Sequence, residues 1–330
     1  MKNIGISFSG GLDPRDVAKC AKLADQLGYN SIWITEGNGG DQFSLLTACS
    51  LVTKTIKLGT SISSVYVRSA PTIAMSAACV DAYSEGRLIL GLGSSHKIQV
   101  EGQHGLTYSK PYSTILETVH IIRTLLHDGF ISYDGNIYKI NEFKLSFKPY
   151  RPQIPIYLAA VFPKMLKTSG ELAEGVILTQ YMPEKASEAR DMIIEGAKSV
   201  GRSPDELEIA SLISCYVTTN KADARRRARE SLAHTCGFYP RYNRFIAKSG
   251  FGQEATTIKL LWAQRKFSDA AQTVSDEMVD AFNIIGDPDE CLDRIEKHRK
   301  AGITLPILGF RSCGNDLNRE ILTSLRSIAH

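Results

Sequence analysis

The sequence predicts an α/β protein folded as a (β/α)8 TIM barrel, with residues 1–330 forming one domain. Three observations carry this reading. Short β-branched apolar segments alternate with helical patterns eight times along the chain. The first strand-to-helix turn, Ser9-Gly10-Gly11-Leu12, lacks the GxGxxG spacing expected of an open dinucleotide-binding sheet. Two stretches, 129–150 and about 220–281, interrupt the alternation without ending it. A chain of 330 residues, 43% hydrophobic and 22% charged, can bury the core such a barrel needs.

Ile4 to Phe8 reads as the first strand, after which Asp13-Pro14 supplies an N-cap and a proline at the first helical position. Val17, Ala21, Ala24 and Leu27 follow at helical spacing, and Gly28 ends the helix. Ser31 to Thr35 is the second strand, with a helix over 41–52, and Ile56 to Ile62 the third, with a helix over about 70–83. Leu88 to Leu92 is the fourth strand and its helix spans about 112–126. The alternating segment Ile131 to Tyr138, with its Gly135-Asn136 turn, predicts a hairpin on the barrel rim. Ile154 to Ala159, Gly175 to Leu178, Leu207 to Val217 and Thr304 to Leu308 supply strands five to eight. Helices are expected at about 163–172, 184–200 and 288–301, in the wholly helical insertion over about 220–281, and from Asn315 to Ile328.

Lys plus Arg exceed Asp plus Glu by 39 − 35 = 4, an excess too small and scattered to predict nucleic acid or a membrane as the partner. A small molecule is expected instead. The 7 cysteines lie far apart with no CxxC pair, as free thiols in a reducing cytosol would. The opening Met1-Lys2-Asn3-Ile4-Gly5 leads into glycines too soon for a signal peptide, and no apolar run approaches the roughly 18 residues of a membrane span. The expected compartment is the cytoplasm.

A barrel of this kind keeps its chemistry at the carboxyl ends of its strands. The loops there are rich in Ser, Thr, Gly, Asn and Gln: Thr35-Glu36-Gly37-Asn38, Ser63-Ser64-Val65-Tyr66, Gly93-Ser94-Ser95-His96-Lys97, Ala159-Ala160-Val161-Phe162 and Thr179-Gln180-Tyr181. No His or Cys pair has metal-ligand spacing, so no metal site is expected, and no GxSxG elbow points to a serine nucleophile. Uncharged loops of this composition suit a flat organic cofactor that brings the hard chemistry itself. The turn Ala160-Val161-Phe162-Pro163 enters a helix and offers N–H groups to a phosphate. His96 reads equally as a general acid or as a hydrogen-bonded rim residue.

The segment Ser84-Glu85-Gly86-Arg87-Leu88-Ile89-Leu90-Gly91-Leu92-Gly93, with Val65-Tyr66-Val67-Arg68-Ser69-Ala70-Pro71 before it, resembles the bacterial-luciferase-like barrel superfamily. Met165 to Gly175 and Phe282 to Glu290 extend the likeness over nearly the whole chain. Within the superfamily the pattern is most similar to that of the methylenetetrahydromethanopterin reductases, which take hydride from the 5-deazaflavin coenzyme F420. The resemblance implies F420 as cofactor and Ser63, Ser64 and Val65 against its ring, with a non-proline cis peptide at Ser64-Val65. It implies Ala160, Val161, Thr179 and Gln180 around the phosphate and ribityl chain, with Ser94 and Ser95 also at the cofactor. Glu36 and His96 fall at catalytic positions. A homodimer is implied through the helices after strands two and three.

This chain departs from the reductases in having Ser7 at the end of strand one, and His96 where they carry acids. It has Gly37 where other deazaflavin enzymes of the superfamily place a histidine. An FMN-dependent monooxygenase and a cofactor-free binding protein on the same barrel remain the alternatives. Arg225, Arg226, Arg227, Arg229, Arg241 and Arg244 read either as a basic rim for an anionic cofactor tail or as a solvated helix face.

Overall fold

A computed structural model describes residues 3–314 and 316–329. Its strands are β1 Gly5–Phe8, β2 Ser31–Ile34, β3 Lys57–Thr60, β4 Ser63–Ser64, β5 Leu88–Gly93, β6 Phe130–Asp134, β7 Lys139–Lys144, β8 Ile156–Ala159, β9 Gly175–Thr179, β10 Glu208–Val217, β11 Asn283–Gly286 and β12 Leu305–Phe310. Eight of these, in the order β12-β1-β2-β3-β5-β8-β9-β10, pair in parallel, and β10 pairs again with β12 to close the cylinder. The expected TIM barrel is the fold.

Closure follows from how the strands are filled. One face of each looks into the barrel, where Trp33, Ile89, Tyr157, Ile177, Ala210, Leu305 and Ile307 form a separate buried cluster. Trp33 takes so much of that space that its neighbour must give way: a Cβ on Gly59 would sit 2.3 Å from the indole. The opposite faces carry Ile4, Ile6, Ile32, Ile34, Leu88 and Leu90 into the layer beneath the helices. Burial on both faces is why these strands read as apolar runs rather than alternating ones.

The Gly86-Arg87 pair earns its place mechanically. Gly86 turns the chain with φ +84° ahead of β5, a left-handed conformation that costs glycine little. Arg87 then donates to Thr53 Oγ1 and to the carbonyls of Ser50, Thr53 and Ile56, fastening the preceding helix-to-strand connection. This clasp lies at the amino ends of the strands, away from the mouth.

Two interruptions stand where expected. β6 and β7 form an antiparallel hairpin, held to the helix Pro111–Asp128 by Glu117. That carboxylate accepts from the backbone N–H groups of Asn136, Ile137 and Tyr138, at 3.0 to 3.2 Å. The second interruption comprises helices Lys221–Phe238, Pro240–Lys248, Gly252–Ala263, Phe267–Gln272 and Asp276–Phe282, which enclose their own core around Leu232, Ile246, Ile258 and Met278.

Four local expectations need correction. β11 was not anticipated: Asn283–Gly286 pairs in parallel with Ser214–Val217, because β10 runs past the end of β9 and leaves an open edge there. The third strand ends at Thr60, and a separate β4 pairs with Leu92 and Gly93. A helix at Lys97–Gly102 precedes the one expected from residue 112, which starts at Pro111. The last helix spans Leu317–Ala329, and its expected start at Asn315 lies outside the described residues.

Candidate active site

The carboxyl ends of the strands form a bowl with a floor of small residues. Gly93 and Gly309 continue the inward faces of β5 and β12. A Cβ on Gly93 would meet Ile62 Cγ1 at 2.8 Å and Ala159 Cβ at 3.1 Å, and one on Gly309 would lie 3.2 Å from Ser7 Oγ. Ile62 packs onto the barrel's inner cluster from above. The floor is therefore apolar beside Ile62 and hydroxyl-lined beside Ser7.

On the β2–β3 side stands Glu36. Its Oε2 accepts from the backbone N–H of Ser64 at 2.6 Å and from Ser63 Oγ at 3.4 Å, while Oε1 pairs with Arg68 Nε at 2.7 Å. Arg68 also pairs with Asp41, which caps the helix Gln42–Val52 by accepting from Ser44 N. Burial opposes ionisation of Asp41, but the bonds from Ser44 and Arg68 hold its pKa below the ordinary carboxylate value. Glu36 thus gathers the β4 loop and the next helix.

The expected cis peptide at Ser64-Val65 is displaced: the cis bond is Ser61-Ile62. Ser63 and Ser64 are committed to the ladder with β5, and Val65 N–H donates to Gly93 O at 3.0 Å, so the irregularity falls where the chain leaves β3. Ser64 and Val65 are both buried, and Val65 carries Tyr138 from the hairpin on its carbonyl.

The β5 loop meets the helical insertion. His96 packs its ring against Tyr239 at 4.3 Å and Tyr242 at 4.8 Å between centroids. Burial, and next the neighbouring Arg241 cation, pull its pKa down to about 4, so the imidazole is neutral at pH 7. Its Nδ1 is buried without a partner, as is Oε1 of Gln180. Ser94 Oγ accepts from Arg241 at 2.8 Å and from Tyr108 OH at 3.2 Å, and Ser95 Oγ donates to Gln99 at 3.2 Å. Ser95 and Gln180 both hold positive φ, 55° and 62°, at strand ends, a sparsely populated conformation for such residues.

The β8–β9 side completes the ring. Ala160 N–H donates to Ile177 O, and Val161 O accepts from Tyr181 OH at 2.8 Å. Phe162 leads into the helix Pro163–Leu172 with no side-chain cap and carries the Arg244 guanidinium 4.2 Å above its ring. Thr179 is hydrogen-bonded to Tyr242, whose hydroxyl burial pushes up to about 12. The fold thus brings Ser94, Ser95, His96, Thr179 and Gln180 under one insertion segment and groups Glu36, Ser63 and Ser64 beside the start of the Ser94 loop, Ser64 lying against Gly93 in the ladder. Glu36 and His96 share no hydrogen bond.

Ile62, Tyr239 and Tyr242 escaped the sequence reading. Tyr239-Pro240-Arg241-Tyr242 is a dense aromatic and cationic run, yet it lies outside every strand-end loop. The arginines named earlier divide: Arg225 and Arg229 pair with Asp276, Arg225 also with Asp280, and Arg226 with Asp223 and Glu230. Arg241 and Arg244 make no ion pair among the described residues, and each lies over an aromatic ring instead.

Residues 4–305 match the luciferase-like monooxygenase family. The chain is 32% identical over 311 residues to a 5,10-methylenetetrahydromethanopterin reductase of Archaeoglobus fulgidus, covering 92% of each, and 32% identical over 308 residues to that of Methanolobus tindarius, covering 92% and 93%. Its fold matches the coenzyme F420 dependent tetrahydromethanopterin reductase of Methanopyrus kandleri with a TM-score of 0.85 at 28% identity, over 98% and 97% of the two chains. The likeness first visible at Ser84–Gly93 extends through the barrel, and the chain belongs to the luciferase-like monooxygenase family.

Proposed function

We propose that this protein is an oxidoreductase that exchanges hydride between coenzyme F420 and a small-molecule substrate. The observation that carries the reading is the pairing of an apolar floor, Ile62, Gly93 and Ala159, with two cations that have no acid partner, Arg241 and Arg244, on the same side of the bowl. That is what a flat ring with an anionic tail needs. The orphaned Nδ1 of His96 and Oε1 of Gln180 are further polar atoms that a bound ligand or its waters would satisfy. A solved reductase and a curated oxidoreductase relative that are both named as F420-dependent support the choice of F420 over FMN.

F420, when bound, carries hydride at C5 of its ring. In this reading Ile62 and Gly93 support the ring and exclude water from beneath it. Ser94, Ser95, Ala160, Val161, Thr179 and Gln180 line the path of the ribityl chain and phosphate, and Ser63, Ser64 and Val65 form the wall behind it. Glu36 is a positioning residue that fixes this wall through Ser64. His96 stands at the substrate side as a neutral hydrogen-bonding group, since its imidazolium is depleted at pH 7. Titration with F420 and with FMN, followed by the fluorescence of each, tests the reading. Saturable F420 binding with weaker FMN binding is expected, and the reverse order would assign a flavin monooxygenase.

The same reading takes residues 1–330 as one domain working in the cytoplasm, where thiols such as exposed Cys79 stay reduced. No helix among the described residues is long and apolar enough to cross a membrane. The reading also pairs two chains through the helices Gln42–Val52 and Ala70–Tyr83, which leave Leu51, Val52, Met75 and Tyr83 uncovered. Light scattering should report a dimer at micromolar concentration, and a monomer there would reject it.

A further inference from the structure

We infer that Arg311 anchors an oxyanion group, a carboxylate or a phosphate, carried by the substrate. The inference rests on taking the bowl as the active site. Arg311 follows β12, its backbone N–H donating to Cys215 O at 2.9 Å. Its guanidinium turns back over the mouth: Nη1 lies 3.3 Å from Ser9 Oγ and Nη2 lies 3.5 Å from Ser214 Oγ. A Cβ on Gly309 would sit 3.9 Å from Nη2 and 3.2 Å from Ser7 Oγ, which puts the cation beside Ser7 above the floor.

Arg311 is exposed at the rim, and two observations and one energetic argument favour an anion seat there. Both contacts are long and go to neutral hydroxyls, and no carboxylate among the described residues pairs with Arg311. The acid at the end of β2, Glu36, is spent on Arg68 and Ser64. A substrate laid over the bowl would cover the guanidinium, and burying an unpaired cation is costly. The ligand itself must therefore bring negative charge. The planar fork of Arg311 can grip an oxyanion with two hydrogen bonds, while Ser7, Ser9 and Ser214 offer hydroxyl donors around it. The site lies across the bowl from Arg241 and Arg244, so it is distinct from the cations assigned to the cofactor tail.

The test titrates the full chain with acetate and with inorganic phosphate, against chloride at equal ionic strength. It is run by calorimetry without cofactor and by F420 fluorescence with the cofactor bound. Either anion should bind with a Kd on the order of 1 mM, and the tighter one distinguishes a carboxylate substrate from a phosphorylated one. Arg311→Gln should weaken that binding by at least about 10-fold, Arg311→Lys by less, and the exposed Arg226→Gln not at all. F420 affinity in Arg311→Gln should stay within roughly twofold of the parent. Unchanged anion affinity in Arg311→Gln overturns the assignment, as does a parent chain that binds neither anion in either form. A parallel loss of F420 affinity would transfer Arg311 to the cofactor. A chain that takes up no F420 yet binds acetate or phosphate through Arg311 would remove the cofactor reading and leave the anion seat standing.

Discussion

The two sides of the bowl spend their charge differently. Around β2 and β3, Glu36, Arg68 and Asp41 are bonded to one another and to backbone, with little left to offer a ligand. Under the helical insertion, His96 is neutral, Gln180 has an orphaned oxygen, and Arg241 and Arg244 rest on aromatic rings without an acid. A charged residue at a strand end is thus not evidence of chemistry until its partners are counted. The first side is built to be rigid, and the second to be completed by something else.

The largest effect should come from breaking the rigid side. Glu36→Gln leaves Arg68, a half-buried cation, with Asp41 as its one remaining acid and weakens the hold on Ser64 N–H, and should cost about 2–3 kcal/mol in urea denaturation. Arg244→Gln, on the other side, should stay within about 0.5 kcal/mol of the parent. Equal losses would erase the contrast. Next in size is the ligand readout: removing both Arg241 and Arg244 should lower F420 affinity about 10–100-fold, with a weaker salt dependence than the parent. Stability should barely move. If F420 affinity instead follows Arg225, which is already paired with Asp276 and Asp280, the rim has been placed on the wrong helix face.

A smaller, pH-dependent effect sharpens the picture of His96. Its pKa of about 4 in the fold lies below the unfolded value of about 6.5. Between these values the unfolded chain binds the proton first, so stability falls as pH drops from 6.5 towards 4. Buried His298, likewise near 4 through burial and then Arg294, adds to the same slope. Urea titrations at several pH values should give His96→Asn a shallower slope than the parent. An identical slope would mean that His96 is not held neutral by the fold.

The barrel was legible because its strands are buried on both faces and its helices begin with strong signals, such as Asp13-Pro14 and Asp287-Pro288. Glu36 was legible as an acid at a strand end. Its partner was not, since Arg68 lies 32 residues away and meets it only through the register of β2 and β3. β11 was missed because four residues beside a helix carry no period of their own. The Tyr239–Tyr242 run was missed because its approach to His96 is made by the packing of the insertion. Arg311 could be read as lying after the last strand, yet its lack of an acid is a property of the fold alone.

One strand bears on how such proteins diversify. Thr218 N–H donates to Gly286 O at 2.7 Å, and Val217 sits opposite Gly286 in the ladder. The chain leaves the wall after Val217 and rejoins it at Asn283, opposite Ser214, so exit and return lie about 11 Å apart, three residues of rise and one strand spacing. Five helices are hung from one short parallel ladder. Such an arrangement lets evolution, or an engineer, lengthen, shorten or replace the whole canopy over the mouth while the cylinder keeps its registration. A grafted segment need only span that narrow gap, and the entropic cost of extra length in it rises slowly.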